Sequence, residues 1–178
     1  MKDATLAIRY AKAYVDLALS KDELEPAVRG ARQASDFFAS QADARHLLAT
    51  PLVPAEEKAA ALSRAMDGIV EASARQLAAF VIGKGRAEYL PEILRQVIVL
   101  YEGIEGIRHA EVVSAVPLTQ EQSEELSARL KALTGANRIV LHASTDPSLI
   151  GGIRVKTGDT VWDGTLSGRL EELKKKYL

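Results

Sequence analysis

Apolar side chains recur at steps of three and four residues through the first hundred positions, which is the spacing of one face of an α-helix. The pattern predicts six helices. In chain order they span Thr5 to Ser20, Glu23 to Ser40, Ala42 to Ala49, a fourth from Pro54, Ile69 to Gly83, and Leu90 to about Glu102. Since each has one apolar face, we expect the helices to pack together as a bundle.

Alternation of apolar and polar residues replaces the helical spacing after about residue 106, and this period of two predicts strands. Strands are expected around Ala110–Val116, Ile139–Ala143, Ile153–Val155 and Val161–Trp162, with helices from Thr119 to Gly135 and from Leu166 to Tyr177. The predicted fold is therefore α+β. An N-terminal six-helix bundle precedes a small C-terminal α/β domain with a mixed sheet and two helices.

The distribution of alanine supports a division into two domains. Residues 1–105 hold 22 alanines and residues 106–178 hold six. Alanine favours helices, and its small side chain lets helices approach closely. We predict domains at residues 1–105 and 106–178, with Gly103–Gly106 as a short linker.

Charge and composition restrict the classes of function. The chain has 23 Lys and Arg against 24 Asp and Glu, so it lacks the excess of cations that general nucleic-acid binding requires. It has no cysteine, which excludes disulfides, thiolate metal sites and cysteine nucleophiles. No apolar stretch approaches the ~20 residues of a membrane span, and no signal peptide is predicted.

No catalytic, cofactor or metal site is predicted. The histidines, His46, His109 and His142, show no metal-binding spacing, and His142 falls on the polar face of its strand. The aspartates of the last third, Asp146, Asp159 and Asp163, lack further acidic ligands at calcium-loop spacing, so we expect turn and cap roles. Arg86 after Gly83–Gly85 is expected to cap carbonyls or pair with a carboxylate.

Apolar surface is the remaining candidate for function. The first and fifth predicted helices share a stripe of aromatic and small residues. Its members are Tyr10, Ala13, Tyr14, Leu17, Leu77, Phe80 and Val81. Two interpretations stay open. The stripe is part of the bundle core, or it forms a groove that accepts an amphipathic helix of a partner.

Several short motifs occur in the order known from one family. They are Arg9–Ala13, Pro51–Pro54 with Lys58, Gly85–Arg86 with Leu90 and Ile93, Ala115–Leu118, Asp146–Ile153, Gly158–Asp159 and Asp163–Leu170. On these residues the chain resembles the delta subunit of F-type ATP synthases, the family of the mitochondrial oligomycin-sensitivity-conferring protein. Two departures are mild: Gly83–Lys84 stands in place of Glu-Asn, and Thr165 in place of Ser.

The resemblance implies a non-catalytic stator subunit that holds the catalytic head to the peripheral stalk against rotor torque. The helical domain would bind the N-terminal helix of an alpha subunit through the stripe defined above. The C-terminal domain would bind the b subunits of the stalk. We expect those contacts at Leu166, Leu170, Leu173 and Tyr177. The alternative is a small-molecule-binding or regulatory adaptor protein.

The resemblance also implies a location. The protein would associate with a membrane only through the complex, on the cytoplasmic face of the bacterial plasma membrane. Because the family motifs begin at Arg9, we expect a bacterial chain, or an organellar chain that has already lost its transit peptide and works at the organellar membrane.

Overall fold

The computed structural model describes residues 4–170, and the chain divides into two compact units between Tyr101 and Glu102. The N-terminal unit is helical. Its helices are α1 (Ala4–Ser20), α2 (Leu24–Ser40), α3 (Ala42–Ala49), α4 (Ala55–Ala65), α5 (Ala72–Gly83) and α6 (Leu90–Ile104), with a short 3₁₀ turn at Ala87–Tyr89. The division falls inside α6. Gly103 therefore belongs to a helix, and the connection to the first strand is shorter than the predicted linker Gly103–Gly106, because only Glu105 and Gly106 lie between the two elements.

The core face of α1 differs from the one that the sequence predicts. Its buried residues are Ala7, Ala11, Val15 and Ala18. The predicted stripe of Tyr10, Ala13, Tyr14 and Leu17 lies beside it, on a half-buried to exposed face. The small residues face the bundle because short side chains let α1 pack closely on α2, which it contacts. The large side chains of α1 are thereby left near the surface.

Close helix packing is most evident where α2 crosses α5. A Cβ atom on Gly30 would lie 2.8 Å from the Cβ of Glu71 and 2.9 Å from the Cβ of Ala74. Only glycine fits at this crossing without moving a backbone. The contact fixes the distance of α5 from α2, and α5 is one wall of the cavity described below.

Helix α5 begins at Ala72, three residues after the predicted start at Ile69. The preceding segment is a turn, in which the amide of Val70 donates to the carbonyl of Met66. The side chain of Gln33 accepts a hydrogen bond from the amide of Glu71 at 3.0 Å, which satisfies one free donor before the helix begins. Val70 is apolar and buried in the core, as a core-facing helix residue would be, so the sequence pattern extended the predicted helix back to Ile69.

A buried lysine joins α3 to α4. Lys58 is 7 % exposed, and its Nζ donates to the carbonyl oxygens of Leu48 at 3.2 Å and Thr50 at 2.8 Å. These oxygens belong to the end of α3, where carbonyls have no partner within the helix. The motif of Pro51–Pro54 with Lys58 thus has a structural role, because its lysine caps the end of α3.

The C-terminal unit contains a four-stranded mixed sheet in the order β2-β1-β3-β4. The strands are β1 (Ile107–Ser114), β2 (Arg138–Thr145), β3 (Ile153–Thr157) and β4 (Thr160–Asp163). Strand β2 is parallel to β1, whereas β3 is antiparallel to both β1 and β4. Strand β1 begins three residues before the predicted Ala110 and ends before Val116, which is exposed.

Helix α7 (Gln120–Thr134) contacts β2 and helps to form the core of this unit. The helix begins with a capping box, because Thr119 accepts from the amide of Gln122 and the Gln122 side chain accepts from the amide of Thr119. The predicted stop at Gly135 is confirmed. The core residues are Ala110, Val112, Leu130, Ile139 and Val155. A last helix starts at Leu166 and continues to Leu170, where the described residues end.

Candidate functional site

A surface cavity of about 510 Å³ lies between α1 and α5. Both helices contact α2, and Ala27 of α2 lines the cavity between them. The lining residues of each helix follow the spacing i, i+3, i+4, i+7, so each contributes one continuous stripe. The stripes consist of Tyr10, Ala13, Tyr14 and Leu17 on α1, and of Ser73, Gln76, Leu77 and Phe80 on α5.

Six of the seven stripe residues expected from the sequence line this cavity. Leu17 and Phe80 are more than half exposed, at 53 % and 55 %, whereas Leu77 is buried and lies deeper. Val81 is the exception, since it is completely buried in the core and does not line the cavity. Successive helix residues are turned by about 100°, so Val81 faces the bundle with Ala78 while Phe80 faces outward. Its place in the predicted groove is corrected accordingly.

Aromatic and cationic side chains cluster at one end of the cavity. The rings of Tyr10 and Phe80 lie 6.2 Å apart, within the range of favourable aromatic pairs. The guanidinium of Arg86 donates to the hydroxyl of Tyr10 and lies 5.3 Å from the ring centre. The Nζ of Lys84 lies 5.6 Å from the ring of Phe80. Arg86, which the sequence assigned to a carbonyl or a carboxylate, instead supports an aromatic wall.

Tyr14 is held in place at the middle of the cavity. Its hydroxyl lies 3.0 Å from the Oγ of Ser73 on α5 and 3.3 Å from the carbonyl oxygen of Ala27 on α2. Burial raises the pKa of the Tyr14 hydroxyl, an effect that the hydrogen bond to Ser73 opposes and the nearby charge of Glu71 reinforces. The phenol therefore stays neutral and offers an apolar ring face to the cavity.

A second apolar surface lies at the start of the last helix. Leu166 and Leu170, both predicted as contact residues, are exposed. Leu173 and Tyr177, predicted with them, lie outside the described residues. The structure adds Ile150, which is 68 % exposed and has the unusual backbone angle φ 64° for a β-branched residue. It precedes Gly151, whose carbonyl accepts from the amide of Leu166 at 3.0 Å.

A cap network positions Leu166. The carboxylate of Asp163 accepts from the Thr165 hydroxyl at 2.6 Å and amide at 2.9 Å, and from the Nε of Arg154 at 2.9 Å. Thr165 is completely buried, and its Oγ1 accepts from the amide of Gly168 at 3.0 Å. Thr165 thus caps the last helix. Asp163 has the predicted cap role, as Asp146 does toward the amide of Ser148.

Acid should weaken the Asp163 cap. The hydrogen bonds from Thr165, followed by that from Arg154, lower the pKa of Asp163 from 3.8 to about 2. Because the folded pKa lies below the unfolded one, this contribution to stability is present above about pH 4 and is lost as the pH falls toward about 2. We expect Asp163→Asn to be less stable than wild type at neutral pH, and the difference to shrink across that window. Denaturant titrations followed by Trp162 fluorescence measure the free energy of unfolding of both proteins at each pH.

Asp159 at the neighbouring hairpin supplies the matched control, because Asp159→Asn removes a carboxylate without touching the cap. A difference between wild type and Asp163→Asn that stays constant from neutral pH to about pH 2 would contradict the role of the charge. An equal effect of Asp159→Asn would assign the acid sensitivity to the net charge of the unit.

Other site classes find little support in the part of the chain described. Within residues 4–170, no group of three or more His, Asp or Glu side chains is arranged to hold a metal ion. In the same range, no helix has both the length and the apolar character needed to cross a bilayer.

Comparisons with known proteins identify the family. The family model described as ATP synthase delta (OSCP) subunit matches residues 6–177. ATP synthase subunit delta of Desulfotalea psychrophila is 32 % identical, with 98 % of this chain and 97 % of that protein covered. The subunit of Prochlorococcus marinus is 30 % identical, covering 95 % and 93 %. The chloroplastic subunit of Ochrosphaera neapolitana is also 30 % identical, covering 97 % of each.

A solved structure shows the same fold. A chain in the cryo-EM structure of the Toxoplasma gondii mitochondrial ATP synthase hexamer matches 96 % of this chain and 96 % of its own length, with a TM-score of 0.67 at 17 % identity. The family match and the relatives together settle the assignment that the motifs suggested. The chain belongs to the ATP synthase delta (OSCP) family and is a non-catalytic peripheral-stalk component of an F-type ATP synthase.

Proposed function

We propose that the α1–α5 cavity binds the N-terminal helix of an alpha subunit of the catalytic head. The observation that carries the proposal is the pair of facing stripes at helical spacing, since an amphipathic helix presents its anchors at that same spacing. From Tyr10 to Lys21 the α1 wall extends about 16 Å, or three turns of a bound helix. The N-terminal domain in this proposal is a six-helix bundle over residues 1–105.

The chemistry of the cavity specifies the helix that fits it. Its walls are mainly apolar, with Tyr10 and Phe80 paired at one end, so the facing side of the partner should be apolar. Lys84 and Arg86 stand at the aromatic end, which favours an acidic residue on the partner there. Such an interface would bury on the order of 1,000 Å² in total, near the low end for stable complexes.

We propose that the second domain, residues 106–178, binds the b subunits of the peripheral stalk. The exposed side chains of Leu166 and Leu170 support this, and the exposed Ile150 is a further candidate contact residue. Leu173 and Tyr177 remain part of the proposal from the sequence. With both surfaces occupied, the protein would clamp head to stalk at the cytoplasmic face of a bacterial plasma membrane, or at an organellar membrane.

Binding measurements on the full chain test both surfaces. Calorimetry with a peptide that spans the N-terminal helix of an alpha subunit should give one site and a negative heat-capacity change, because apolar area is buried. A peptide with polar residues on its apolar face should not bind. A peptide from the stalk-tip end of a b subunit should bind equally well to the chain already saturated with the alpha peptide. Competition between the two would contradict separate surfaces, and equal binding of the polar peptide would contradict the cavity as the site.

A further inference from the structure

Three titratable side chains form a hydrogen-bonded chain in the C-terminal unit. The Nδ1 of His109 on β1 lies 2.8 Å from the Nε2 of His142 on β2. The Nε2 of His109 lies 3.1 Å from the Oε1 of Glu102 in the last turn of α6. His109 therefore uses both ring nitrogens, one toward a carboxylate and one toward a second imidazole. Neither the family assignment nor the proposed binding surfaces use these residues.

The two imidazoles are well aligned for a hydrogen bond. Their planes differ by 12° and their centroids are 5.1 Å apart. That separation matches the nitrogen–nitrogen distance plus the radii of two rings, so the rings lie side by side with the two nitrogens between their centres. A ring lone pair lies in the plane of its ring and thus points directly at the facing nitrogen. The contact requires one proton between the nitrogens.

The carboxylate determines how protons are distributed. An ionised carboxylate only accepts, so Glu102 requires a proton on the Nε2 of His109. In the neutral pair, the Nδ1 of His109 then accepts from the Nε2 of His142. One added proton leaves the bond intact, because either imidazole can be the donor. A second added proton places hydrogen on both facing nitrogens, and the bond must break.

Charged neighbours on the same face of the sheet balance closely. Glu111 follows His109 by two residues and is in register with His142, while Lys156 on β3 is in register with Glu111. Arg138 precedes His142 by four residues on the same face of β2. One carboxylate besides Glu102 thus favours a protonated pair, and two cations oppose a second proton. All three neighbours are exposed, which weakens their effect.

We propose that Glu102, His109 and His142 form a one-proton switch that ties the last turn of α6 to the sheet and opens when both imidazoles are protonated. The unfolded chain can protonate both histidines, whereas the folded unit with the bond intact holds one added proton. The free energy of unfolding therefore decreases as the pH is lowered through the range where histidine titrates, from roughly pH 8 to 5.

Unfolding of the full chain at a series of pH values tests the switch. Trp162 lies in β4 and is the only tryptophan, so its fluorescence reports on the sheet. Relative to His142→Gln, the unfolding equilibrium constant of the wild type should rise as pH falls, by up to about tenfold per pH unit. His46→Gln is the matched control, because His46 is exposed on α3 and should leave the wild-type profile unchanged. Parallel profiles of wild type and His142→Gln would overturn the proposal.

Nitrogen NMR supplies a second measurement that does not depend on stability. The chain has three histidines, so each ring can be resolved. At alkaline pH the proton of His109 should reside on Nε2. As acid is added, the ring-nitrogen chemical shifts of His109 and His142 should change together. A proton on the Nδ1 of His109 at alkaline pH, or independent titration of His109 and His142, would contradict the switch.

Discussion

Replacing Phe80 with aspartate is expected to abolish binding of the alpha-subunit peptide while leaving the protein folded. Phe80 is 55 % exposed, so its loss removes little of the core. Its ring pairs with Tyr10 across the end of the cavity, the position of an aromatic anchor, and truncating such an anchor costs about 2 kcal/mol or more. The new carboxylate would also lie against the apolar face of the bound helix. Affinity should fall by at least about thirtyfold, measurable by calorimetry.

Leu52→Asp provides the matched control for that variant. Leu52 is an exposed leucine in the loop between α3 and α4, away from the cavity lining, so the substitution adds the same charge without changing the cavity. Circular dichroism should show all three proteins folded, and Leu52→Asp should bind as wild type does. Unfolding of Phe80→Asp would place Phe80 in the core instead. Wild-type affinity in Phe80→Asp would mean that the alpha helix binds elsewhere.

The sequence predicted helices more reliably than it predicted their buried faces. In α1 the bounds agreed to within a residue, yet the stripe of Tyr10, Tyr14 and Leu17 was indistinguishable from a core stripe. The true core stripe is richer in alanine, and it starts from Ala7 and Ala11. The two stripes lie next to each other on one helix. Hydrophobicity alone would place the larger residues in the core, whereas close packing of α1 on α2 requires the smaller residues there.

Features that depend on strand register or on backbone geometry could not be predicted from the sequence. The pairing of His109 with His142 requires β1 and β2 to be parallel in one register, and a shift by one residue would separate the rings. Nothing in the sequence pattern around Ile150 indicates that its side chain is exposed or that its φ is positive. By contrast, the caps at Thr119 and Asp163 could be predicted, since capping depends on residues only two or three positions apart.

Gly152→Ala is expected to be among the most damaging single substitutions in the C-terminal unit. Gly152 has φ +82°, and a Cβ there would overlap the carbonyl oxygen of Gly164 and lie 3.0 Å from the Cα of Thr165. These are backbone atoms, which no rotamer change can move. Their positions are fixed by hydrogen bonds from Gly164 to Ile153 and from Leu166 to Gly151. Backbone strain and overpacking together should cost about 4 kcal/mol, seen as early loss of the Trp162 signal in denaturant.

Gly158→Ala separates the two causes of that cost. Gly158 also has a positive φ, +54°, but a Cβ there meets no atom within 4 Å. It should therefore lose only the strain of a left-handed alanine, about 1–2 kcal/mol. Equal losses in the two variants would mean that the contact with Gly164 yields easily. A larger loss at Gly152 would identify the close approach of the two backbone segments as what holds Thr165 in its cap. The same approach sets the direction of Leu166, so Gly152→Ala should also weaken binding of the b-subunit peptide wherever the unit remains folded.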